Sequence, residues 1–181
     1  MTATTVYSEA VTNLIADPIV ILDRKKGRLK TIIDQDEVAT TSIDEAGDVT
    51  LFCPIPSNAV ILSVLVKNDD LDTNATETLD LNWGLYYSGI GGNQYITGKT
   101  LGTAIDADCF AADSALFEDA NTTWVDVRNA TDDIADIDLE AWQVAGLTSD
   151  PGGLFLIGMT VGTNAAATAQ AGTVVVRVDY I

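Results

Sequence analysis

The sequence predicts a mainly β protein: an antiparallel β-sandwich, jelly-roll-like, with one or two short helices in an insertion and an extended N-terminal arm. Two stretches carry this prediction, because apolar and polar residues alternate over residues 79–87 and again over 173–181. A period of two is typical of half-buried strands. Helical spacing, the third observation, occurs only between those stretches, so strands dominate and the helices belong to one insertion.

The first 18 residues form the predicted arm. Residues 1–18 lack clear periodicity and end at Asp17-Pro18, so we expect them to be ordered only against another surface. The sandwich domain is predicted to span residues 19–181, a length that can bury a core without metal or disulfide support. Within it, the polar residues 35–48 are expected to connect two strands.

The predicted strands come from apolar or alternating runs that are bounded by turn residues. They cover residues 19–22, 29–33, 49–53, 59–66, 79–87, 123–127, 155–161 and 173–181. The third is expected to stop at Pro54 and Pro56 because proline has no N–H for a β-ladder. The fourth is apolar on both faces, which indicates a strand buried on both sides. We expect the fourth and fifth strands to be neighbours, as a long central hairpin or an antiparallel pair.

Two helices are predicted in the insertion. The first, over residues 106–117, is indicated by a stripe of residues at helical spacing: Ala107, Phe110, Ala111, Ser114 and Phe117. The second covers residues 132–145, where Leu139 and Trp142 repeat at helical spacing. Gly146 follows as its expected C-terminal end.

The charge of the chain is strongly negative, at −18, but its cations are clustered. Five of its nine basic residues fall in one short stretch, named here the basic segment: Arg24, Lys25, Lys26, Arg28 and Lys30. Nucleic acid and anionic membranes are unsuited as main partners because both repel an acidic surface. The basic segment has two open interpretations: a hydrated hairpin tip with Lys26-Gly27 as its turn, or a site that docks on an acidic surface.

The residues of common catalytic sites are missing from the sequence. The chain contains no histidine, which removes triads with an imidazole base and the commonest zinc ligand. Cys53 and Cys109 lack zinc-ligand spacing, and we expect both to be reduced, small buried hydrophobes. We therefore predict a protein that is not an enzyme and that needs no cofactor or metal, with a paired-carboxylate hydrolase as a minor alternative.

Two further patterns leave alternatives open. The acidic residues 69–72 and 132–138 offer the oxygen ligands that calcium prefers, but neither stretch matches a calcium loop, so solvated loops are the preferred interpretation. The aromatic residues Tyr86, Tyr95 and Trp124 are candidates for a ligand-binding face. Core packing across a loop also explains these aromatic residues and is the preferred interpretation.

The second half of the chain carries a series of turn and strand-end motifs. They are DADCF at residues 106–110, WVDVR at 124–128, LEAWQVAGLTSDP at 139–151, AGTV at 171–174 and VDYI at 178–181. Together with residues 24–33 and a strand ending at Ile55-Pro56, these motifs resemble small virion structural proteins of tailed bacteriophages. The resemblance covers most of residues 19–181 and includes no catalytic group.

The resemblance implies a capsid decoration, or cement, protein. Such a protein is a β-sandwich, often a trimer, that binds the major capsid protein lattice on the outer shell and stabilises it. Its implied location is the capsid surface of the virion, after assembly in the host cytoplasm, and the basic segment is the expected capsid-binding site. The alternative is a virion or cell-surface adhesin, part of a tail, collar or fibre, that binds a receptor or glycan through the three aromatic residues.

Overall fold

The computed structural model describes residues 5–7, 28–73, 78–89, 100–114, 119–130, 138–164 and 168–181. Its strands are β1 (Thr5–Tyr7), β2 (Lys30–Val38), β3 (Val49–Pro56), β4 (Ile61–Asn68), β5 (Asp80–Tyr87), β6 (Ala104–Ser114), β7 (Asn121–Asp126), β8 (Leu154–Thr163) and β9 (Gly172–Tyr180). A short helix, α1, covers Ala141–Val144, and turns of 3-10 helix lie at Thr40–Ser42 and Val127–Ala130. The predicted strand at residues 19–22 and the predicted turn at Lys26-Gly27 lie outside the described residues.

The strands form two sheets that pack face to face. Sheet I has the order β1-β3-β8-β5-β6, and sheet II has the order β2-β9-β4-β7. Neighbouring strands are antiparallel except β1 and β3, which are parallel. From β2 onward the chain changes sheet between consecutive strands, except from β5 to β6. The predicted antiparallel β-sandwich is therefore confirmed.

The core lies between the sheets and follows the alternation predicted for β5. Leu81, Trp83 and Leu85 are fully buried on the inner face of β5. The Trp83 ring stacks on Phe52 of β3, with ring centroids 6.1 Å apart. Sheet II contributes the predicted alternating residues of β9: Val174, Val176, Val178 and Tyr180. The predicted strand at residues 173–181 is therefore present as β9, and it lies between β2 and β4 in sheet II.

The predicted pairing of the fourth and fifth strands is wrong. β4 lies in sheet II between β9 and β7, whereas β5 lies in sheet I between β8 and β6. Both strands supply apolar residues to the same core, but they do so from opposite layers. β4 is also buried on one face only, because Val64 and Val66 are fully buried while Leu62, at a bulge, is 41% exposed.

Strand β3 continues through Pro54 and Pro56, where the sequence predicts a stop. β1 pairs with residues 49–51 only, so in the described part of the structure no strand neighbours the later half of β3 on that side. Proline at such an edge removes no ladder hydrogen bond. The register with β8 also shifts between Phe52 and Pro54, which accommodates the first proline.

The helix predicted over residues 106–117 is a strand within the described residues, because β6 covers Ala104–Ser114. The spacing of three and four residues comes from bulges, since the register of β6 against β5 shifts at three places. Phe110 and Ala111 are consequently both fully buried, whereas neighbours in a regular strand point to opposite faces. A strand with several bulges therefore produced the apolar pattern of a helix.

Gly84 of β5 makes the close passage of β6 possible. A Cβ atom at this position would lie 2.2 Å from the backbone oxygen of Asp106 and 2.4 Å from the backbone carbonyl carbon of Ala107. Only glycine allows two backbones to approach this closely in the middle of a sheet. A residue on the neighbouring strand thus determines where β6 bulges.

The second predicted helix, over residues 132–145, is described only as α1. The residues before Asp138 lie outside the described part of the chain. Glu140 caps α1 through a reciprocal pair of bonds with Gln143, and the Glu140 N–H donates to Gln143 Oε1 at 3.0 Å. Gly146, with a φ of 67°, follows the helix as its predicted C-terminal end.

Strand β2 is longer than predicted, because it continues to Val38 through residues expected to form a connection. β2 is an edge strand of sheet II, and its inward face carries Asp34, which is 6% exposed, and Asp36. Charged side chains that point inward on an edge strand discourage pairing with the edge of another chain. Of the predicted arm, only β1 is described, and it extends the edge of sheet I.

Candidate protein interface

The outer faces of the two sheets differ in what covers them. On sheet I, a small cluster of buried side chains lies outside the main core: Leu51, Tyr86, Leu154 and Leu156, packed against Val49, Leu101 and Ala107. On sheet II, apolar side chains reach solvent instead. Every exposed large hydrophobic residue among those described lies in a strand of sheet II or beside its end: Leu29, Ile33, Leu62, Trp124 and Ile181. We call the outer face of sheet II the open face.

The strand register places apolar and charged residues side by side on the open face. Arg177 of β9 pairs with Ile33 of β2 on one side and with Leu65 of β4 on the other. Val175, two residues earlier, lies between Gln35 and Lys67 in the same way. Because Asp179 pairs with Arg177, the open face carries charges of both signs beside its apolar side chains. Exposed apolar side chains grouped on one face mark a candidate protein interface.

Asp179 holds the central strands of the open face together. Its carboxylate accepts hydrogen bonds from Thr31 Oγ1 of β2 and from Ser63 Oγ of β4, the latter at 3.1 Å. The Arg177 guanidinium lies 2.9 Å from the second carboxylate oxygen. One side chain therefore links three strands, and the open face is fixed in shape before any partner binds.

The same contacts set the acidity of Asp179. Burial pushes its pKa upward, but hydrogen bonds from Thr31, Arg177 and Ser63 outweigh burial and hold the pKa below its ordinary value. The charged carboxylate therefore stabilises the fold at pH values above its unfolded pKa, which is about 3.9. This contribution is lost as the pH falls through the lower pKa of the folded state.

We expect Asp179→Asn to reduce the free energy of unfolding at neutral pH by about 1–2 kcal/mol, because a charged acceptor of several bonds is removed. The variant should also lose less stability than the wild type below about pH 4, since it has no carboxylate to protonate there. Urea unfolding at a series of pH values measures both effects. Asp119→Asn, at an exposed position, is the control, and parallel pH curves for the wild type and Asp179→Asn would contradict the network.

Trp124 and Lys67 contact each other on the open face. The Lys67 Nζ atom lies 4.8 Å from the centroid of the Trp124 ring, within the range of a cation–π interaction. Beside them is a cavity of about 250 Å³ lined by polar side chains that include Asn68 and Asn121. The Asn68 amide donates to the backbone oxygens of Asp69 and Asp119, so this wall of the cavity is rigid.

The basic segment is described only at its end. Arg24, Lys25 and Lys26 lie outside the described residues, whereas Arg28 is exposed. Lys30 begins β2, and its Nζ atom lies 5.8 Å from the centroid of the Tyr180 ring. The basic segment therefore leads directly into the edge strand of the open face, and its binding role stays a prediction.

The three candidate aromatic residues do not form one described surface. Tyr86 is only 1% exposed because it packs in the small cluster outside sheet I, so core packing is the interpretation that applies to this residue. Its hydroxyl shares a hydrogen bond with Thr160, and burial raises the pKa of the Tyr86 phenol to about 12. Tyr95 lies outside the described residues, and Trp124 is 37% exposed on the open face. Ligand binding by Tyr95 or Trp124 stays a prediction.

Two described carboxylates of the predicted acidic loops, Asp69 and Asp72, have structural partners. Asp72 is buried, and its oxygens accept hydrogen bonds from Thr168 Oγ1 at 2.6 Å and from the Thr78 N–H at 2.8 Å. Asp69 accepts from the Thr173 N–H at 2.9 Å. Among the residues described, no group of three or more potential ligands is placed to hold a metal ion. Residues 132–137 of the second acidic stretch lie outside the described ranges.

The two cysteines form no disulfide bond and lie in different surroundings. Cys53 is fully buried, and its sulfur lies 3.8 Å from the backbone oxygen of Val176. Burial raises the pKa of the Cys53 thiol well above its ordinary value, which keeps the thiol protonated and unreactive. Cys109 is half-buried, so only Cys53 matches the expected buried hydrophobe.

Sequence reasoning missed Ile33, Leu62 and Asp179 as residues of the candidate interface. A signal existed for Asp179, because the alternation of residues 173–181 places Arg177 and Asp179 on the outward side of the strand. No comparable signal existed for Leu62. Its exposure depends on a bulge in β4 against β9, which alternation cannot reveal.

The fold is a two-layer β-sandwich with a small buried cluster outside sheet I and exposed apolar side chains on the open face of sheet II. It is similar to a solved structure described as the capsid of Ralstonia phage GP4, with a TM-score of 0.66 and 19% sequence identity over 98% of this chain and 97% of that chain. A chain from the cyanophage Pam1 capsid asymmetric unit gives a TM-score of 0.48 and 20% identity over 91% and 94% of the two chains.

Sequence comparison adds no relative. No protein-family model matches the chain, and no curated protein matches it either. None of the helices among the described residues is long and apolar enough to cross a membrane. The similarity to the phage GP4 chain is therefore one of fold, at an identity too low to be seen in the sequence alone.

Proposed function

We propose that this chain is a non-enzymatic structural protein of a bacteriophage virion. The observation that supports the proposal most is the fold match to the chain from the Ralstonia phage GP4 capsid, which covers 98% of one chain and 97% of the other. A match of this extent involves nearly the full length of both chains, so the similarity is not limited to a small shared module. The turn and strand-end motifs that resemble virion structural proteins of tailed bacteriophages favour the same class.

Within that class, we infer a decoration or cement protein that binds the major capsid protein lattice and stabilises the shell. Strands β2 to β9 form two four-stranded layers with the alternating connections of a jelly roll, a fold used in viral capsids. The net charge of −18 repels packaged nucleic acid, which favours a place on the outer surface of the shell. Many weak contacts repeated over a lattice add up to strong attachment.

The basic segment is the proposed capsid-binding site. The rest of the body is strongly acidic, so a compact group of cations orients the protein on an acidic patch of the lattice. Arg28 is exposed, as docking requires. The open face lies next to this segment because Lys30 begins β2.

Mass spectrometry of purified virions, with copy number determined against the major capsid protein, tests the proposed function. We expect hundreds of copies per particle, as repeated binding to a lattice requires, and earlier rupture on heating when the protein is left out. Absence of the protein from purified particles would overturn the virion proposal. A dozen or fewer copies would overturn the cement role and place the protein in a tail or at a vertex.

The capsid-binding site can be tested by rebinding the purified protein to particles that lack it. We expect the triple variant R24Q/K25Q/K26Q to bind about tenfold more weakly at low ionic strength, with a smaller difference at high salt, because its lost contacts are exposed charge pairs. Lys99→Gln, which removes a cation elsewhere in the sequence, is the control. Equal binding by the triple variant and the wild type would show that the basic segment is a hydrated surface.

A further inference from the structure

We propose that strand β2 is a pH-responsive element of the fold, which packs more firmly on the sandwich when Asp36 binds a proton than when Asp36 is charged. The proposal goes beyond the proposed function, because it concerns the response of the isolated chain to pH and not its contacts with a capsid. β2 directly follows the basic segment, so its packing also decides how firmly that segment is attached to the sandwich.

The inward side chains of β2 are an exception to the apolar core. They alternate with exposed residues and are, in order, Ile32, Asp34, Asp36 and Val38. Ile32 and Val38 pack with the core, as expected of an inward row, but two carboxylates lie between them. Asp34 is only 6% exposed. This row therefore places negative charge inside the edge of the sandwich.

Asp36 differs from Asp34 in its hydrogen bonds. The Gln35 N–H donates to Asp34 Oδ1 at 3.0 Å. The Oδ2 atom of Asp36, in contrast, is fully enclosed and accepts no hydrogen bond from the described residues. A buried acceptor without a donor costs free energy, and the cost is larger when the acceptor is charged. Protection of the sheet edge explains why a charge points inward here, but it does not require an oxygen without a donor.

The strands that pack against β2 do not compensate the charge of Asp36. In the described part of the chain, β2 pairs with β9 and faces β3 across the core. β9 places Val174 opposite Asp36, and its inward Tyr180 pairs with Lys30, six residues or roughly 20 Å away along β2. β3 supplies the thiol of Cys53, which burial keeps protonated. The inward faces of these two strands therefore offer no cation to Asp36.

The surroundings of Asp36 determine the direction of the pH effect. Burial raises the pKa of Asp36 above its ordinary value, and the charges of Asp34 and Glu37 raise it further against the opposing effect of the Glu37 backbone N–H. Charged Asp36 therefore costs stability at neutral pH. This cost decreases as the pH falls through the folded pKa and disappears below the unfolded pKa of about 3.9. The effect is opposite in sign to that of Asp179, whose pKa is lowered.

The position of β2 makes this cost a local one. β2 is an edge strand, and among the described strands of its sheet only β9 pairs with it. An edge strand can open while the rest of the fold stays intact, because fewer contacts must break than in global unfolding. We therefore expect the charge on Asp36 to increase the local opening of β2 more than the opening of the central strands.

Hydrogen–deuterium exchange of the purified full-length chain, followed by mass spectrometry at about pH 7.5 and about pH 4.5, tests the proposal. After correction for the intrinsic effect of pH, we expect β2 peptides to exchange at least about threefold faster at the higher pH, relative to β5 peptides. β5 has neighbours on both sides and serves as the internal reference, because relief of the net charge of −18 acts on the whole chain. Both pH values lie above the isoelectric point of 4.1.

Asp36→Asn imitates the protonated side chain. At about pH 7.5 this variant should slow the exchange of β2 by about threefold or more, and it should remove most of the pH dependence. Glu37→Gln is the matched control, because it removes the same charge from the next residue, whose side chain is exposed. The control should keep the pH dependence of the wild type. Far-UV circular dichroism verifies that both variants are folded.

Three outcomes would overturn the proposal. They are wild-type β2 exchange that follows β5 at both pH values, a folded Asp36→Asn variant that exchanges like the wild type, and a Glu37→Gln variant that slows exchange to the same extent. The wild-type comparison needs no substitution, so it decides the question even where a variant does not fold. No particle is used, and absence of the protein from virions would affect only the proposed function.

Discussion

Replacing Trp83 by alanine is expected to destabilise the protein by about 3–5 kcal/mol. Trp83 is fully buried in the middle of sheet I, and its ring stacks on Phe52 across a centroid distance of 6.1 Å. Truncation removes its apolar contacts and leaves a cavity that a strand with neighbours on both sides cannot close. Because small proteins are stable by only about 5–15 kcal/mol, this loss is a large part of the total.

Trp124→Ala is the matched control, because it makes the same chemical change at a surface position. Trp124 is 37% exposed, and its described contact is the cation–π interaction with Lys67. We expect this variant to lose about 1 kcal/mol or less. Urea unfolding followed by far-UV circular dichroism compares both variants without relying on tryptophan fluorescence. Similar losses for the two variants would contradict the burial of Trp83.

The second large effect is expected for Gly84→Ala, which should cost about 3 kcal/mol, at the upper end of overpacking penalties. The added methyl group would lie 2.2 Å from the backbone oxygen of Asp106. A clash with backbone is not relieved by a change of rotamer, so β6 must move as a whole. The movement would break the pairing of β6 with β5 on both sides of the contact.

Gly152→Ala is the control for this prediction. Its added methyl group would meet no atom within 4 Å, and only its φ of 70° opposes the substitution. A single residue in the left-handed region costs about 1–2 kcal/mol, so Gly152→Ala should be the milder change. Denaturant midpoints of the two variants provide the comparison. A Gly84→Ala variant as stable as Gly152→Ala would show that the two backbones are farther apart than described.

The sequence predicted the strands that lie inside a sheet and alternate without interruption. β5, β8 and β9 have neighbours on both sides, so one face of each strand is consistently buried and the period of two is visible in the sequence. The same regularity predicted the fold class. It could not predict which sheet a strand joins, because β4 and β5 bury the same kind of face from opposite layers.

The remaining errors have local physical causes. The helical spacing of residues 106–117 arises because β6 bulges where it crosses Gly84, so a feature of one strand disturbs the pattern of another. The extension of β3 through Pro54 depends on how short β1 is. Both errors concern contacts between strands that are distant in the sequence, which a local pattern does not contain.

The candidate interface was predictable in part. The basic segment is visible as composition, and the outward placement of Arg177 and Asp179 is visible as alternation. The exposure of Ile33 was hidden, because an isoleucine in an apolar run is normally assigned to a core. The exposure of Ile33 arises because, within the described ranges, no other layer covers that face of β2, which is a property of the assembled sandwich.

Because β9 is a central strand of sheet II, this sheet can be completed only after β9 has been synthesised. β9 follows all the other described strands in the sequence, yet β2 and β4 pair with it and not with each other. During synthesis, β2 and β4 therefore lack the strand that joins them until residues 172–180 have been made, and the backbone groups that later pair with β9 hydrogen-bond to water in the meantime. Pairing between segments so distant in the sequence is slow. The newly made chain therefore passes through a stage with unpaired strands, in which it can aggregate or be bound by chaperones.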